Sequence, residues 1–214
     1  MRPRRYIPLA ILIGVAGLLV GAVMLTRPTG LASRPVSSVP DLLSEPAGVP
    51  GAGLVLAPDG LGPVAFGQAE DGVLTKLTEM LGDPVEDSTE PCAGRPVRWV
   101  RWGSLTAYFA DGQFGGYISG IYFPPDSPEL IIKTAERVGL RATVRELAAA
   151  YGDRFAWFDQ PPSGFGIAVD AFGIDGFDVG SPTPTGLGGY VEGGREEGHV
   201  ITFFAGQPCV DNGP

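Results

Sequence analysis

The 214-residue chain has one histidine, His199, two cysteines, Cys92 and Cys209, one asparagine and two lysines, and only 18% of its residues are charged. Those shortages exclude whole classes of chemistry. A histidine cluster or a structural zinc site needs more His and Cys ligands than these three side chains supply, so no metal is expected. No Walker A sequence occurs, and the Gly-rich segments lack the strand, GxGxxG and helix order that cradles a dinucleotide, so no cofactor is expected either. Acidic residues outnumber basic ones 24 to 15, a net charge of −9, which opposes binding to nucleic acid phosphates.

What the chain does have begins near its amino terminus. From Tyr6 to Leu25 run twenty uncharged residues, YIPLAILIGVAGLLVGAVML, which as a helix at ~1.5 Å per residue measure about 30 Å, the thickness of a hydrocarbon core. Arg2, Arg4 and Arg5 precede the run in a basic tip, residues 1–5, and 24 acidic against 12 basic residues follow Thr26. That asymmetry predicts a single-pass anchor with the amino terminus in the cytoplasm and the rest outside. The competing reading is a secretory signal cleaved after Gly30-Leu31-Ala32, which would release a secreted protein beginning near Ser33. The apolar run is longer than the ~7 to 15 residues of a typical signal core, which favours the uncleaved anchor. Gly17 and Gly21 form a GxxxG, better explained by the general abundance of Gly in membrane helices than by helix pairing.

Residues 26–59 hold six prolines and no aromatic from Arg27 onward, too little apolar mass for a core, and read as a Pro-stiffened spacer. The remainder reads as two α+β halves, 60–127 and 128–214. In the first, Gly67 leads to Val73, Leu74, Leu77 and Leu81 at helical spacing, stopped by Gly82-Asp83-Pro84. In the second, Gly139 precedes the capping box Thr143-Val144-Arg145-Glu146, and Leu147, Ala148 and Tyr151 continue the apolar face to Gly152-Asp153. Leu81-Gly82-Asp83 and Tyr151-Gly152-Asp153 are 70 residues apart. Each helix is followed by strand-like runs between Gly-rich turns: Val97–Trp102, Leu105–Phe109 and Tyr117–Phe123, then Phe155–Phe158, Gly166–Val169, Gly189–Glu192 and Val200–Ala205. No long parallel crossover separates them, so the expected fold class is α+β, two tandem half-domains of short helices packed on antiparallel meanders. Leu130, Ile131, Thr134 and Val138 predict an extra helix over Pro128–Val138.

A glycine, a short helix ending in Leu-Gly-Asp or Tyr-Gly-Asp, and a Gly-punctuated antiparallel sheet, all repeated, resemble the tandem fold of β-lactamase inhibitor protein. That topology is similar to the small outer-membrane-assembly lipoprotein domain. Gly62-Pro63-Val64-Ala65-Phe66-Gly67, Val100-Arg101-Trp102-Gly103 and Leu147 to Asp153 also resemble phrases of secreted or anchored envelope proteins of high-GC Gram-positive bacteria. The resemblance covers about 150 residues and implies a fold; the inhibitor's contact residues have no identifiable counterparts, and its second disulfide is absent here.

An even pair of cysteines in an exported domain predicts a Cys92–Cys209 disulfide. His199 follows Glu196-Glu197-Gly198, but a catalytic histidine needs a nucleophile or an orienting carboxylate at a defined distance, and a surface position explains it better. Gly116-Tyr117-Ile118-Ser119-Gly120 has its Ser one place late for a nucleophile elbow. Asp170, Asp175 and Asp178 match no calcium-loop spacing and read as a solvated turn. The expected function is therefore non-enzymatic: a membrane-anchored extracytoplasmic module that binds a protein or envelope component through an exposed sheet face. Aromatic and Arg side chains dominate binding hot spots, which nominates Trp99, Arg101, Trp102 and Tyr108. Three residues apart on one strand, Trp99 and Trp102 must point to opposite faces, so one should be core. Two alternatives stay open, an envelope hydrolase whose carboxylates converge only in three dimensions, and a lipid- or glycan-binding domain with an apolar or aromatic-lined cavity.

Overall fold

The structure is a computed structural model and describes residues 51, 53–92, 94–120, 128–158, 169–177 and 185–206. The apolar run Tyr6–Leu25 lies outside them; among the described residues no helix is long and apolar enough to cross a membrane. Among the described residues the fold is mixed α+β, dominated by strands, with two short α-helices.

In chain order the elements are β1 (Val55–Ala57), β2 (Gly60–Leu61), β3 (Val64–Ala65), α1 (Glu70–Leu81), β4 (Glu86–Cys92), β5 (Arg95–Trp102), β6 (Leu105–Ala110) and β7 (Gln113–Gly120). Then come β8 (Lys133–Thr134), α2 (Val144–Tyr151), a single 3₁₀ turn Gly152–Arg154, β9 (Phe155–Phe158), β10 (Val169–Ile174), β11 (Leu187–Glu192) and β12 (His199–Gly206). Eight strands form one antiparallel sheet in the order β4-β5-β6-β7-β12-β11-β10-β9, and the short strands form a second sheet, β3-β2-β1-β8.

The helices arise where the sequence predicts them. α1 turns Val73 and Leu77 inward one turn apart, begins with Glu70 and Asp71 at the positive end of its dipole, and ends at Gly82, whose N–H donates to the Thr78 carbonyl. α2 is closed by the predicted capping box: the Thr143 hydroxyl accepts from the Glu146 N–H while the Glu146 carboxylate accepts from the Thr143 N–H. Both helices and the small sheet cover one face of the large sheet. There Val73, Leu77, Leu147 and Tyr151 meet Val100, Trp102, Leu105, Phe109, Phe172 and Phe203 in one core, and the Tyr117 hydroxyl donates to the Ala57 carbonyl.

The two halves of the large sheet are built alike about a line between β7 and β12. Ile118 and Phe204 face each other across that line. Stepping outward, Tyr108 opposes Gly116 and Tyr190 opposes Thr202, and the ladder slips by a bulge immediately after each tyrosine. The approach to each helix is tied to the last strand of its half by the same three backbone hydrogen bonds. Gly67 to Phe114, Phe114 to Gln68 and Glu70 to Gly112 in the first half become Arg141 to Val200, Val200 to Ala142 and Val144 to Gly198 in the second. Gly67 thus corresponds to Arg141, and both adopt left-handed backbone, φ 82° and 66°. The sequence pairing of Gly67 with Gly139 is corrected by two residues. The 70-residue spacing of the helix ends differs from the 74-residue spacing at their starts because α2, with 8 residues, is one turn shorter than α1, with 12.

Three further expectations change. Residues 128–138 are not helical but run without helix into β8 and then a turn at 135–136: Leu130, Ile132 and Thr134 are buried while Ile131 and Lys133 are exposed, and β8 pairs in parallel with β1. That alternation has period two, and the helical spacing of Leu130, Ile131, Thr134 and Val138 is incidental. The spacer ends before Asp59, because Leu54 and Leu56 are buried on either side of Val55 and join the core. Finally, β4 carries no apolar signal, Glu-Asp-Ser-Thr-Glu-Pro-Cys, because it is an edge strand exposed along most of its length, where charge and proline guard against further pairing. Strand bounds also shift: β7 starts at Gln113 rather than Tyr117, and β10 runs on from Val169 to Ile174, while 121–123 and 166–168 of the expected strands lie outside the described residues.

Candidate functional site

Strand alternation divides the four nominated residues of β5 and β6. Val100 and Trp102 face the helices, and Trp102, 2% exposed, lies in the core with its indole N–H donating to the Gly82 carbonyl at 2.9 Å. Trp102 is thus withdrawn from the surface. Trp99 and Arg101 point to the other face, called the outer face here, where Trp99 stands directly opposite Tyr108 and Arg101 opposite Thr106. Trp99 and Tyr108 are half-buried. Arg101 pairs with Glu86 from β4, its cross-strand neighbour, and its side chain is 12% exposed. The Arg101 Nε is buried and makes no hydrogen bond among the described residues. Burial, with a smaller push from the charge of Glu90, raises the Tyr108 phenol to about 12, so it is a neutral hydrogen-bonding group at any physiological pH.

The outer face differs between its halves. Between β5 and β6 lies only the tight turn Gly103-Ser104, whereas β10 and β11 are joined by residues 175–186. Phe177, in that longer connection, folds back over the sheet: its ring centroid lies 5.2 Å from that of Phe204 and 6.2 Å from that of Phe158. It seats against Gly188, where a Cβ would come within 2.7 Å of the Phe177 ring, so only glycine admits it. Val169, Ala171, Phe177, Tyr190, Ile201 and Phe204 form a second small core there. The half carrying Trp99 and Tyr108 has no counterpart of Phe177 in its two-residue turn.

Carboxylates on this domain are held in clusters by arginine. Arg98 reaches Glu70 of α1 at 2.5 Å and Asp87 of β4 at 2.6 Å. Arg154 reaches Glu136 at 2.6 Å and Asp175 at 3.2 Å, and its guanidinium carbon lies 5.0 Å from the Tyr151 ring centroid. Arg195 reaches Asp170 at 2.9 Å and lies 5.2 Å from the Trp157 ring centroid. Hydrogen bonding to Arg98 lowers the Asp87 carboxyl below its ordinary range. Glu136 is also lowered, since its hydrogen bonds to Arg154 and Tyr151, with the Arg154 charge, together outweigh desolvation.

Asp170 and Asp175 point to different arginines, and Asp178 lies outside the described residues. No group of three or more His, Cys, Asp or Glu side chains able to hold a metal occurs among the described residues. His199 is exposed at the start of β12, bridged to Thr143. Ser119 is fully buried facing the helices, without a hydrogen-bond partner among the described residues. Cys92 ends β4 and is not a free thiol; Cys209 lies outside the described residues. Glu90 and Phe177 have no motif that would nominate them; Glu90 matters only through its register with β5, and Phe177 only through its packing on Phe204 and Phe158.

Comparison with family models, with curated proteins and with solved structures returns no match.

Proposed function

We propose that the chain is a membrane-anchored, extracytoplasmic, non-enzymatic module that binds a protein partner on the first half of the outer sheet face. One observation carries this reading: Trp99 and Tyr108 stand side by side and half-buried on the half of the sheet where the β5–β6 connection is a two-residue turn with no counterpart of Phe177, the residue that packs over the other half. Aromatic side chains that already lose little freedom give binding area at low entropic cost. The matching halves support tandem repetition of one α+β unit, in keeping with the resemblance to the β-lactamase inhibitor fold. In this reading Tyr6–Leu25 is the anchor, with the amino terminus inside, and Cys92 and Cys209 form a disulfide.

The second reading, an envelope hydrolase using paired carboxylates, needs one carboxyl raised so that it can act as the acid. Asp87 and Glu136, each held by an arginine, have the opposite character, their carboxyls lowered rather than raised, and this weighs towards binding.

The test is crosslinking of the full chain in its native envelope, with Trp99→Ala and Tyr108→Ala compared against the parent after thermal melting has separated folding loss from binding loss. Folded variants should lose their crosslinked partner. If every folded variant retains it, the outer-face assignment is wrong and binding resides in the spacer or loops.

A further inference from the structure

Resting on the binding-module reading, we propose that Trp99, Tyr108 and Glu90 together form a seat for a cationic side chain, lysine or arginine, of the protein partner. The chain builds the same combination twice for its own arginines. Arg195 lies over the Trp157 ring and is held by Asp170, and Arg154 lies over the Tyr151 ring and is held by Glu136 and Asp175. In each case an aromatic face supplies the quadrupole attraction and a carboxylate the opposite charge.

A third such corner lies on the outer face. Trp99 opposes Tyr108 across β5 and β6. On β4, Glu90 opposes Val97 and Ser88 opposes Trp99, so Glu90 is the diagonal neighbour of Trp99 on the same face. It is exposed, and its charge is felt at the Tyr108 phenol.

This corner lacks a cation among the described residues. Arg101, next along the face, is engaged by Glu86; Arg95 pairs with Asp111 at 3.6 Å; Arg98 is on the other face with Glu70 and Asp87. Glu90 makes no ion pair and neither ring carries a guanidinium or ammonium among these residues, whereas the two corners in the second half are filled from within. The net charge of −9 draws a cationic partner toward the domain from a distance. Charge complementarity thus selects a lysine or arginine over a neutral apolar side chain.

The experiment uses the full chain in zwitterionic detergent micelles and follows the Trp99 indole N–H by NMR, assigned from its loss in Trp99→Phe. The probes are the capped tripeptides Gly-Lys-Gly and Gly-Arg-Gly, with Gly-norleucine-Gly as the isostere that lacks the charge. The Lys and Arg peptides should shift the signal saturably and bind roughly three- to tenfold more tightly than the norleucine peptide, the range expected for a partly exposed cation–aromatic contact with a carboxylate beside it. Glu90→Gln, a surface change that leaves melting intact, should reduce that preference. Equal binding of norleucine and lysine, a preference that survives in Glu90→Gln, or no shift with any peptide overturns the proposal. The envelope crosslink to Trp99 and Tyr108 tests the underlying reading separately: a partner lost in Trp99→Ala but retained in Glu90→Gln leaves the binding face standing and removes the cation seat.

Discussion

Trp99 and Trp102 differ by three positions and have opposite fates, and their energetics follow from that. Trp102 is packed between α1, Leu105 and the sheet, with its N–H bonded to Gly82, so Trp102→Ala removes about 3 to 5 kcal/mol through the cavity and the orphaned carbonyl. Trp99→Ala, losing a half-buried ring, should cost well under half of that and leave a folded domain. Urea denaturation of both variants checks the contrast, and comparable losses would mean that Trp99 is also core. Arg98 joins α1 to the edge strand through Glu70 and Asp87. Because the folded state holds Asp87 below its ordinary value, its contribution to stability is complete above the unfolded carboxylate range, near ~4, and is lost as pH falls through the lowered folded value. The parent should therefore lose more stability on acidification from about pH 5 to pH 2 than Arg98→Met does. Urea midpoints across that range are the measurement; parallel curves would show that the cluster contributes nothing.

The two helices begin differently although the strands around them correspond. α2 has a complete capping box, whereas Ala69 before α1 supplies no side-chain acceptor. Thr143→Ala should cost about 1 kcal/mol, and Ala69→Ser, whose backbone at ψ 134° suits a capping residue, should gain about 0.5 to 1 kcal/mol. Melting of the two variants should move in opposite directions. The capping box was legible in the sequence because it depends on neighbours three residues apart. So were most of the interior strands, whose apolar residues have nowhere to go but a sheet core; β10 was not, since Asp170 with Gly173 and Asp175 read as a turn, and only pairing with β9 and β11 makes Val169–Ile174 a strand. β4 was not legible: an edge strand with both faces wet needs no hydrophobic pattern, and only pairing with β5 makes Glu86–Cys92 a strand. Nor was β8, since Leu130 and Ile131 fit helical spacing as well as alternation until pairing with β1 decides between them.

In the large sheet, β4 and β12 run in the same direction, so Cys92 and the carboxyl end of β12 lie toward one end of it. The proposed Cys92–Cys209 bridge would tie the edge strand of the first half to the chain that follows the last strand of the second. With the cysteines 117 positions apart, the chain-entropy account gives about 4 to 5 kcal/mol for it. Peptide mapping without reduction should recover the two cysteines joined, and Cys209→Ala should unfold at markedly lower denaturant. Alkylation of both thiols without prior reduction would rule the bridge out. For the anchor, protease added outside spheroplasts should remove the domain; a protected domain would reverse the orientation, and a soluble protein beginning near Ser33 would show cleavage instead.

What the sequence determined by itself was local: the places of α1 and α2, the capping box of α2, the strand-rich α+β character, and the requirement that one of Trp99 and Trp102 be buried. These follow from side-chain periodicity and from backbone hydrogen bonds closed within a few residues, which composition in a short window already encodes. Tertiary structure alone decided which tryptophan is core, because that depends on which face α1 covers. It also decided that the halves share one sheet through β7 and β12, with Gly67 answering to Arg141. The corner of Trp99, Tyr108 and Glu90 spans three strands and eighteen positions of sequence; no spacing rule points to it, because it exists only through the register of three strands.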